Sequence, residues 1–142
     1  SLHLLGTSLS TAEDVLWDCL EATSSLRELY FSNVPLSVAS AKNLARVLPK
    51  LSLLSVEHCK LGPRGLKAMA PGIPATLEHL TLVDVNMDHY GAQALGSVLP
   101  TDLLTLDISD NPKLGPEGVW KLSSRLDRLT KLEELKMAKS MY

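Results

Sequence analysis

The amino-acid sequence predicts an α/β solenoid, a curved stack of repeats with parallel β-strands on its concave face and helices on its convex face. Leucine supplies 30 of the 142 residues, whereas the chain has only six aromatic residues and two isoleucines. One leucine-rich pattern recurs along the chain every 25 to 29 residues. Such a period is typical of repeat proteins, because each short unit buries its apolar side only against its neighbours.

The repeated pattern is L-x-x-L-x-L-x-x-N/C-x-L, present in six copies of which the first and the last are incomplete. Its second leucine column contains Leu2, Leu29, Leu54, Leu80, Leu106 and Leu135. The apolar residues of each copy alternate with others, which predicts a short strand with its leucines facing inward. Because the copies are in phase, we expect six parallel strands side by side, in five to six repeats.

Each strand is expected to be followed by a helix that returns along the convex face. A Ser-Thr-Ala-Glu capping box predicts a helix over 11–22. Apolar residues at helical spacing predict a helix over 39–48. Asp88 has the residue type and position of an N-cap, and it predicts a helix over 89–99.

Together these features resemble the leucine-rich repeat superfamily. The Leu-Gly-Pro-x-Gly turns at 61–65 and 114–118 are similar to those of its ribonuclease-inhibitor-like class, which includes the sensor domains of NOD-like receptors. The proline of each turn, Pro63 or Pro116, suits the first turn of a helix. The resemblance implies a non-enzymatic protein-binding module, and within that class the sensor or regulatory region of an innate-immune receptor.

Two other interpretations stay open. The segment 54–61 resembles the cysteine-containing repeats of F-box adaptors, which implies the substrate-recognition module of a ubiquitin ligase, either such an adaptor or a bacterial effector. A GTPase-activating repeat protein is the third interpretation. It would need an exposed polar residue placed against a nucleotide, and nothing in the sequence marks one.

The ninth column of the pattern usually holds Asn or Cys, whose side chain bonds to backbone groups and links neighbouring coils. In this chain it contains Thr7, Val34, Cys59, Val85 and Asn111. A valine side chain has no polar atom. We therefore expect the ladder of side-chain hydrogen bonds to be interrupted at the two valines, where backbone or water contacts replace it.

Composition and charge exclude several classes of protein. The formal net charge of −2 argues against a chain that mainly binds nucleic acid. No apolar stretch reaches the length of a membrane span. The sequence also lacks phosphate-binding, dinucleotide-binding and zinc-protease motifs. We predict no catalytic activity, no cofactor, no metal and no membrane contact, and with no targeting segment visible we expect a cytoplasmic protein.

The outward positions of the predicted strands are strongly acidic. From the second strand onward they carry eight acids and three bases, a net charge of −5. The acids are Glu28, Glu57, Glu78, Asp84, Asp107, Asp110, Glu133 and Glu134, and the bases are Arg27, Lys136 and Lys139. Charges on one curved surface add, which favours a basic protein partner and faster encounter. The alternative is that these acids only keep the strand surface soluble.

The predicted partner-binding residues lie on this surface. Tyr30 and Leu53 are expected to be exposed apolar anchors on adjacent strands. The full predicted set is Tyr30, Leu53, Glu57, His58, His79, Thr81, Asp84, Asp107 and Asp110.

His58, Asp84 and Asp110 share one column on three neighbouring strands. Strands lie about 4.8 Å apart, so the outer two residues would be about 10 Å apart, too far to share a Zn²⁺ ion unless their side chains converge. A charged contact between His58 and Asp84 is expected instead. Cys59 should point inward, opposite to His58, so we expect a buried thiol rather than a nucleophile.

The sequence also gives expectations for its two tryptophans and for its ends. Trp17 and Trp120 are expected on helices, where they pack in the convex layer; a second, exposed interface is the alternative. Neither end of the sequence shows a capping repeat. We therefore interpret 1–142 as a single leucine-rich repeat domain that is a fragment of a longer array, with ends able to self-associate.

Overall fold

The computed structural model describes residues 2–5, 22, 25–48 and 51–140. Its strands form one parallel sheet in chain order: β1 (Leu2–Leu5), β2 (Glu28–Ser32), β3 (Leu53–Glu57), β4 (His79–Val83), β5 (Thr105–Asp107) and β6 (Glu134–Lys136). The register pairs Leu29 with both Leu2 and Leu54, and it continues through Leu80 and Leu106 to Leu135. The predicted second leucine column is therefore confirmed as one continuous row across the sheet.

Helices follow the strands on the other side of the sheet. They are α1 (Val38–Val47), α2 (Gly62–Met69), α3 (His89–Gly96) and α4 (Gly115–Leu126), with a short 3-10 helix at Ala70–Gly72. Each helix packs against the next one, which confirms the predicted α/β solenoid of stacked strand–helix units. The predicted helix over 11–22 lies outside the described residues, except for the helical Ala22. Within the described ranges, no helix is both long enough and apolar enough to span a membrane.

Side-chain caps set the starts of two helices. The hydroxyl oxygen of Ser37 accepts a hydrogen bond from the Ser40 backbone N–H at 3.1 Å, and α1 begins after it. Asp88 caps α3 as predicted, because its Oδ1 accepts bonds from the N–H groups of Tyr90 and Gly91 at 3.0 Å each. These bonds satisfy donors that have no partner within the helix.

The end of α3 differs from the prediction. The helix stops at Gly96 rather than at Leu99. Glycine is a poor helix former, and the Ser97 hydroxyl donates to the Ala94 carbonyl at 2.8 Å, an alternative to continuing the helix.

Glycine and proline set the starts of the other two helices. Gly62 and Gly115 have φ angles of +66° and +59°, a region that favours glycine. Their N–H groups donate to the carbonyls of Val85 and Ser140 in the following coil, at 3.0 and 2.9 Å. A proline comes next in each case, so the predicted first-turn prolines are confirmed.

The leucine columns form the core between the sheet and the helices. Leu29, Leu54, Leu80 and Leu106 are at most 1% exposed. Burying each such side chain contributes about 2 kcal/mol. Leu135 is 37% exposed, because among the described strands only β5 flanks β6. The repeated leucines therefore stabilise the stack, and each coil depends on its neighbours for burial.

The ninth column has side-chain hydrogen bonds at some repeats and none at its two valines, as expected. Asn111 is fully buried, and its Oδ1 accepts bonds from the N–H groups of Val85 and Met87 at 3.1 Å each. Its Nδ2 donates to the carbonyls of Leu82, Ile108 and Ser109, at 2.8 to 3.0 Å. Val34 and Val85 are buried in the same column without any side-chain bond. Thr7 lies outside the described residues.

Ser140 extends this column into the sixth repeat, whose copy of the pattern is incomplete and has no Asn or Cys in the ninth position. Its hydroxyl accepts a bond from the Asn111 N–H at 3.2 Å and donates to the Ile108 carbonyl at 2.7 Å. The signal was present in the spacing, because Ser140 follows Leu135 by as many residues as Asn111 follows Leu106. Serine was missed because the pattern asked for Asn or Cys.

Candidate protein-binding surface

The outward side chains of the strands form straight rows, because the strands are in register. One row contains Tyr30, Ser55, Thr81, Asp107 and Lys136. The neighbouring row contains Glu28, Leu53, His79, Thr105 and Glu134. All nine predicted contact residues lie on this side of the sheet or at the ends of its strands. The structure thus brings them onto one surface.

A turn at the carboxyl end of each strand carries the column of His58, Asp84 and Asp110. These residues have φ angles of +55°, +51° and +58°, so they lie in a left-handed turn after the strand. The predicted position of this column within the strands is therefore wrong. Their N–H groups donate to carbonyls of the following coil at 2.8 to 3.2 Å. Asparagine and aspartate tolerate this conformation better than most residues, which explains the polar residues in the column.

The predicted contact between His58 and Asp84 is confirmed. His58 Nδ1 lies 2.9 Å from Asp84 Oδ2, and the side chains are 45% and 56% exposed. The hydrogen bond to Asp84 raises the pKa of His58, desolvation opposes this increase, and the negative charges of Asp84, Glu57 and Asp110 add to it. Among the described residues, no cluster of His, Cys, Asp or Glu has an arrangement that could bind a metal ion.

The acidic excess is concentrated on the three middle strands. Residues 52–58, 78–84 and 104–110, which include β3, β4 and β5, carry five acids and no lysine or arginine. We call this the acidic strand surface, and its acids are Glu57, Glu78, Asp84, Asp107 and Asp110. The charges on both sides of this surface balance. On the β2 side, Arg27 offsets Glu28, and on β6 the Nζ atom of Lys136 lies 2.9 Å from Oε1 of Glu134. The predicted net charge of −5 therefore comes from the region of β3, β4 and β5, and the outward positions near β2 and β6 add no net charge.

Three of these acids have no polar contact through their carboxylates within the described part of the chain. The carboxylates of Glu57, Glu78 and Asp110 make no hydrogen bond or ion pair with any other described residue. Asp84 pairs with His58, and Asp107 Oδ1 accepts a bond from the Ser109 N–H at 3.0 Å.

The apolar contribution of the surface is smaller than expected. Tyr30 and Leu53 lie on adjacent strands, but both are half-buried rather than exposed. The Tyr30 ring stacks on His3, with ring centroids 4.2 Å apart and planes inclined by 4°. In-register strands bring side chains of one row within contact distance, as the stacking of His3 on Tyr30 shows. Their role as partner contacts stays a prediction.

Other polar positions of the sheet are less accessible than the alternation predicted. Ser55 and Ser109 occupy outward positions yet are only 8% and 9% exposed. Ser109 Oγ accepts a bond from the Ala138 N–H at 3.1 Å, which uses this hydroxyl inside the fold. His79 Nδ1 lies 2.9 Å from Thr105 Oγ1, so His79 is also engaged within the sheet.

Cys59 has the structural role that the sequence predicted. Its thiol is buried and donates to the Glu57 carbonyl at 3.2 Å. Burial raises the pKa of the Cys59 thiol, which disfavours the reactive thiolate. The other cysteine, Cys19, lies outside the described residues.

The prediction that Trp120 packs in the convex layer is wrong. Its side chain is 73% exposed on α4. The helical spacing of α4 buries Gly118 and Leu122 and turns Trp120 to solvent. Trp17, for which the same role was expected, lies outside the described residues.

In-register leucine rows and a helix after each middle strand define an α/β solenoid of stacked repeats. Two segments, residues 47–70 and 100–123, match the leucine-rich repeat family model. The first covers β3 and α2 and the second covers β5 and most of α4, and both support assignment of the chain to the leucine-rich repeat superfamily. No curated protein matches the chain significantly. Leucine-rich repeat domains typically act as non-enzymatic interaction modules.

Proposed function

We propose that this chain is a protein-interaction module whose acidic strand surface binds a basic segment of a partner protein. One observation carries the proposal: residues 52–58, 78–84 and 104–110, at three adjacent strands and their ends, carry five acids and no lysine or arginine. Adjacent strands lie about 4.8 Å apart, which is less than the screening length of about 8 Å at physiological ionic strength. The fields of these carboxylates therefore add and attract a cationic segment.

The free carboxylates favour arginine in the partner. An arginine guanidinium binds a carboxylate through two parallel hydrogen bonds and also stacks on aromatic rings. Glu57 and Asp110 offer unpaired carboxylates, and the half-buried Tyr30 ring lies at the β2 side of the same surface. A segment that crosses the strands would meet these groups in turn.

Charge reversal of the free acids tests the proposal. We would replace Glu57, Glu78 and Asp110 by lysine and capture partners by crosslinking from cells that express the parent protein. These side chains hold no internal bond among the described residues, and Lys139 already adopts the left-handed turn in the column of Asp110. The expected result is loss of the partners captured by the unchanged protein.

A control with the same change in net charge separates the surface from general electrostatics. Asp102, Glu117 and Asp127 are exposed acids outside the acidic strand surface. Their replacement by lysine should leave partner capture intact. If both triple variants keep all partners, or both lose them equally, the acidic strand surface is not the binding site.

Within this function, we propose that the chain is the sensor or regulatory repeat region of a cytoplasmic NOD-like receptor. The two Leu-Gly-Pro-x-Gly turns, at 61–65 and 114–118, support this role over others. Cys59, buried in the ninth column, supports the alternative of a ubiquitin-ligase substrate-recognition module. The parent polypeptide decides between them: a nucleotide-binding domain beside the repeats supports the sensor, and an F-box or ligase domain supports the alternative.

A further inference from the structure

A second surface, on the helix side, has the opposite charge and the largest exposed aromatic side chains. Tyr90 on α3 is 64% exposed and Trp120 on α4 is 73% exposed. Large exposed aromatic residues are enriched at protein interfaces, because they bury much area with little loss of side-chain entropy. Neither residue contributes to the acidic strand surface.

A groove lies between α2 and α3. It has a volume of about 530 Å³ and is lined by Pro63, Arg64 and Lys67 from α2 and by Tyr90, Gln93 and Ala94 from α3. Arg64 and Lys67 are exposed, lie on one side of the helix, and make no ion pair within the described part of the chain. No acidic residue lines this groove. Its polar chemistry therefore suits an anionic ligand.

A second groove, of about 480 Å³, adjoins the first. It is lined by Gln93, Trp120, Lys121, Ser123, Ser124 and Asp127, so it contains one base and one acid. Gln93 lines both grooves, and its Oε1 accepts a bond from Lys121 Nζ at 3.1 Å. The same ammonium group lies 5.3 Å from the centroid of the Tyr90 ring. Gln93 and Lys121 thus join the two grooves into one surface, which we call the helix-side groove.

The wider helix layer has the same sign of charge. Helices α1 to α4 carry six basic residues and one acidic residue, a net charge of +5. The bases are Lys42, Arg46, Arg64, Lys67, Lys121 and Arg125, and the acid is Glu117. A positive field on this side steers acidic chains toward the helix-side groove.

We propose that the helix-side groove binds an acidic, aromatic-containing segment of a protein partner. Arg64 and Lys67 pair with its carboxylates, and Tyr90 and Trp120 contact its apolar side chains. Arginine is well suited to this role because its guanidinium binds a carboxylate through two bonds. The site is independent of the acidic strand surface, since it lies on the other side of the sheet and selects the opposite charge.

The test uses a fluorescently labelled peptide rich in glutamate with one phenylalanine, and a scrambled-charge peptide with lysine in place of glutamate. Binding is measured by fluorescence anisotropy. We expect the variant R64E/K67E to weaken binding of the acidic peptide by roughly tenfold, since two favourable charge contacts become repulsive. The variant Trp120→Ala should weaken it several-fold, and far more for the phenylalanine peptide than for one with alanine.

Matched controls make each outcome decisive. Lys113 and Arg128 are exposed bases outside both grooves, so K113E/R128E makes the same change in net charge and should leave affinity nearly unchanged. Circular dichroism confirms that each variant is folded. The proposal is overturned if the acidic peptide does not bind, if both charge reversals weaken it equally, or if only self-association of the chain changes, as measured by sedimentation. Loss of binding on reversal of Glu57, Glu78 and Asp110 would also overturn it.

Discussion

The strand face and the helix layer of this solenoid arise from the same repeat yet carry opposite charge. The outward strand positions sum to −5, while helices α1 to α4 sum to +5. On the strand face Tyr30 and Leu53 are half-buried, whereas the helix layer exposes Tyr90 and Trp120. A net charge of only −2 hides this separation, because the repeat sorts acids and bases onto different faces.

The comparison teaches where the fold restricts residue choice. On the strand face, β2, β4 and β5 bury every second residue, and a residue with a left-handed conformation follows each strand from β2 to β6, so few positions are free to vary. The helix layer needs only one buried stripe on each helix. We therefore expect mutations on the two faces to differ sharply in their effect on stability and on binding.

The largest difference in stability should be between the loss of two aromatic side chains, one buried under the strand face and one exposed on the helix layer. Phe31 on β2 is 1% exposed, and Phe31→Ala should lower the free energy of unfolding by about 4 kcal/mol, because it removes a large buried side chain and leaves a cavity. Trp120→Ala should change it by less than about 0.5 kcal/mol, since the side chain is exposed. Urea denaturation of both variants measures this. Similar losses in the two variants would contradict the assigned burial.

The next largest effect concerns the column that holds the strand-face turns together. Asn111→Ala should lower the free energy of unfolding by about 3 kcal/mol, because buried backbone groups of Leu82, Val85 and Met87 lose their partner. Lys113→Ala, in the same loop but exposed, serves as the control and should be nearly neutral. Thermal or urea unfolding checks both. A nearly neutral Asn111→Ala would mean that the ladder contributes little.

The smallest effect is a pH dependence on the strand face. Because Asp84 raises the pKa of His58, the protonated form is favoured in the folded protein, so its contribution to stability is full below the unfolded pKa and is lost as pH rises through the folded pKa. Deprotonation also makes the acidic strand surface more negative, so a basic ligand should bind about twofold more tightly above this pKa.

Nuclear magnetic resonance titration of the His58 ring measures this pKa directly. Asp84→Asn should lower it more than Asp110→Asn, because only Asp84 makes a hydrogen bond to the ring. Equal shifts in the two variants would show that general charge, and not the paired geometry, sets the pKa of His58.

Much of the scaffold could be predicted from sequence because a buried leucine has few alternatives. The rows from Leu2 to Leu135, the cap at Asp88 and the contact of His58 with Asp84 all follow from spacing and residue type. Their prediction needed only the period of the repeat and the chemistry of the side chains.

The rest depended on three-dimensional detail that spacing does not contain. Helical periodicity shows that one side of α4 is buried, but it did not fix the side on which Trp120 lies. The burial of Ser109 depends on Ala138 in the next coil. The left-handed turns at His58 and Asp84 were missed because alternation was extended beyond the strand ends.

Chemical-shift mapping tests the central claim most directly. An arginine-rich peptide would be titrated into the isotopically labelled protein, and backbone shifts would be followed residue by residue. The account predicts saturable shifts at Glu57, His58, Glu78, Asp84 and Asp110, with the residues of α2 and α3 unaffected. Shifts centred on the helix layer, or shifts that do not saturate, would contradict binding at the acidic strand surface.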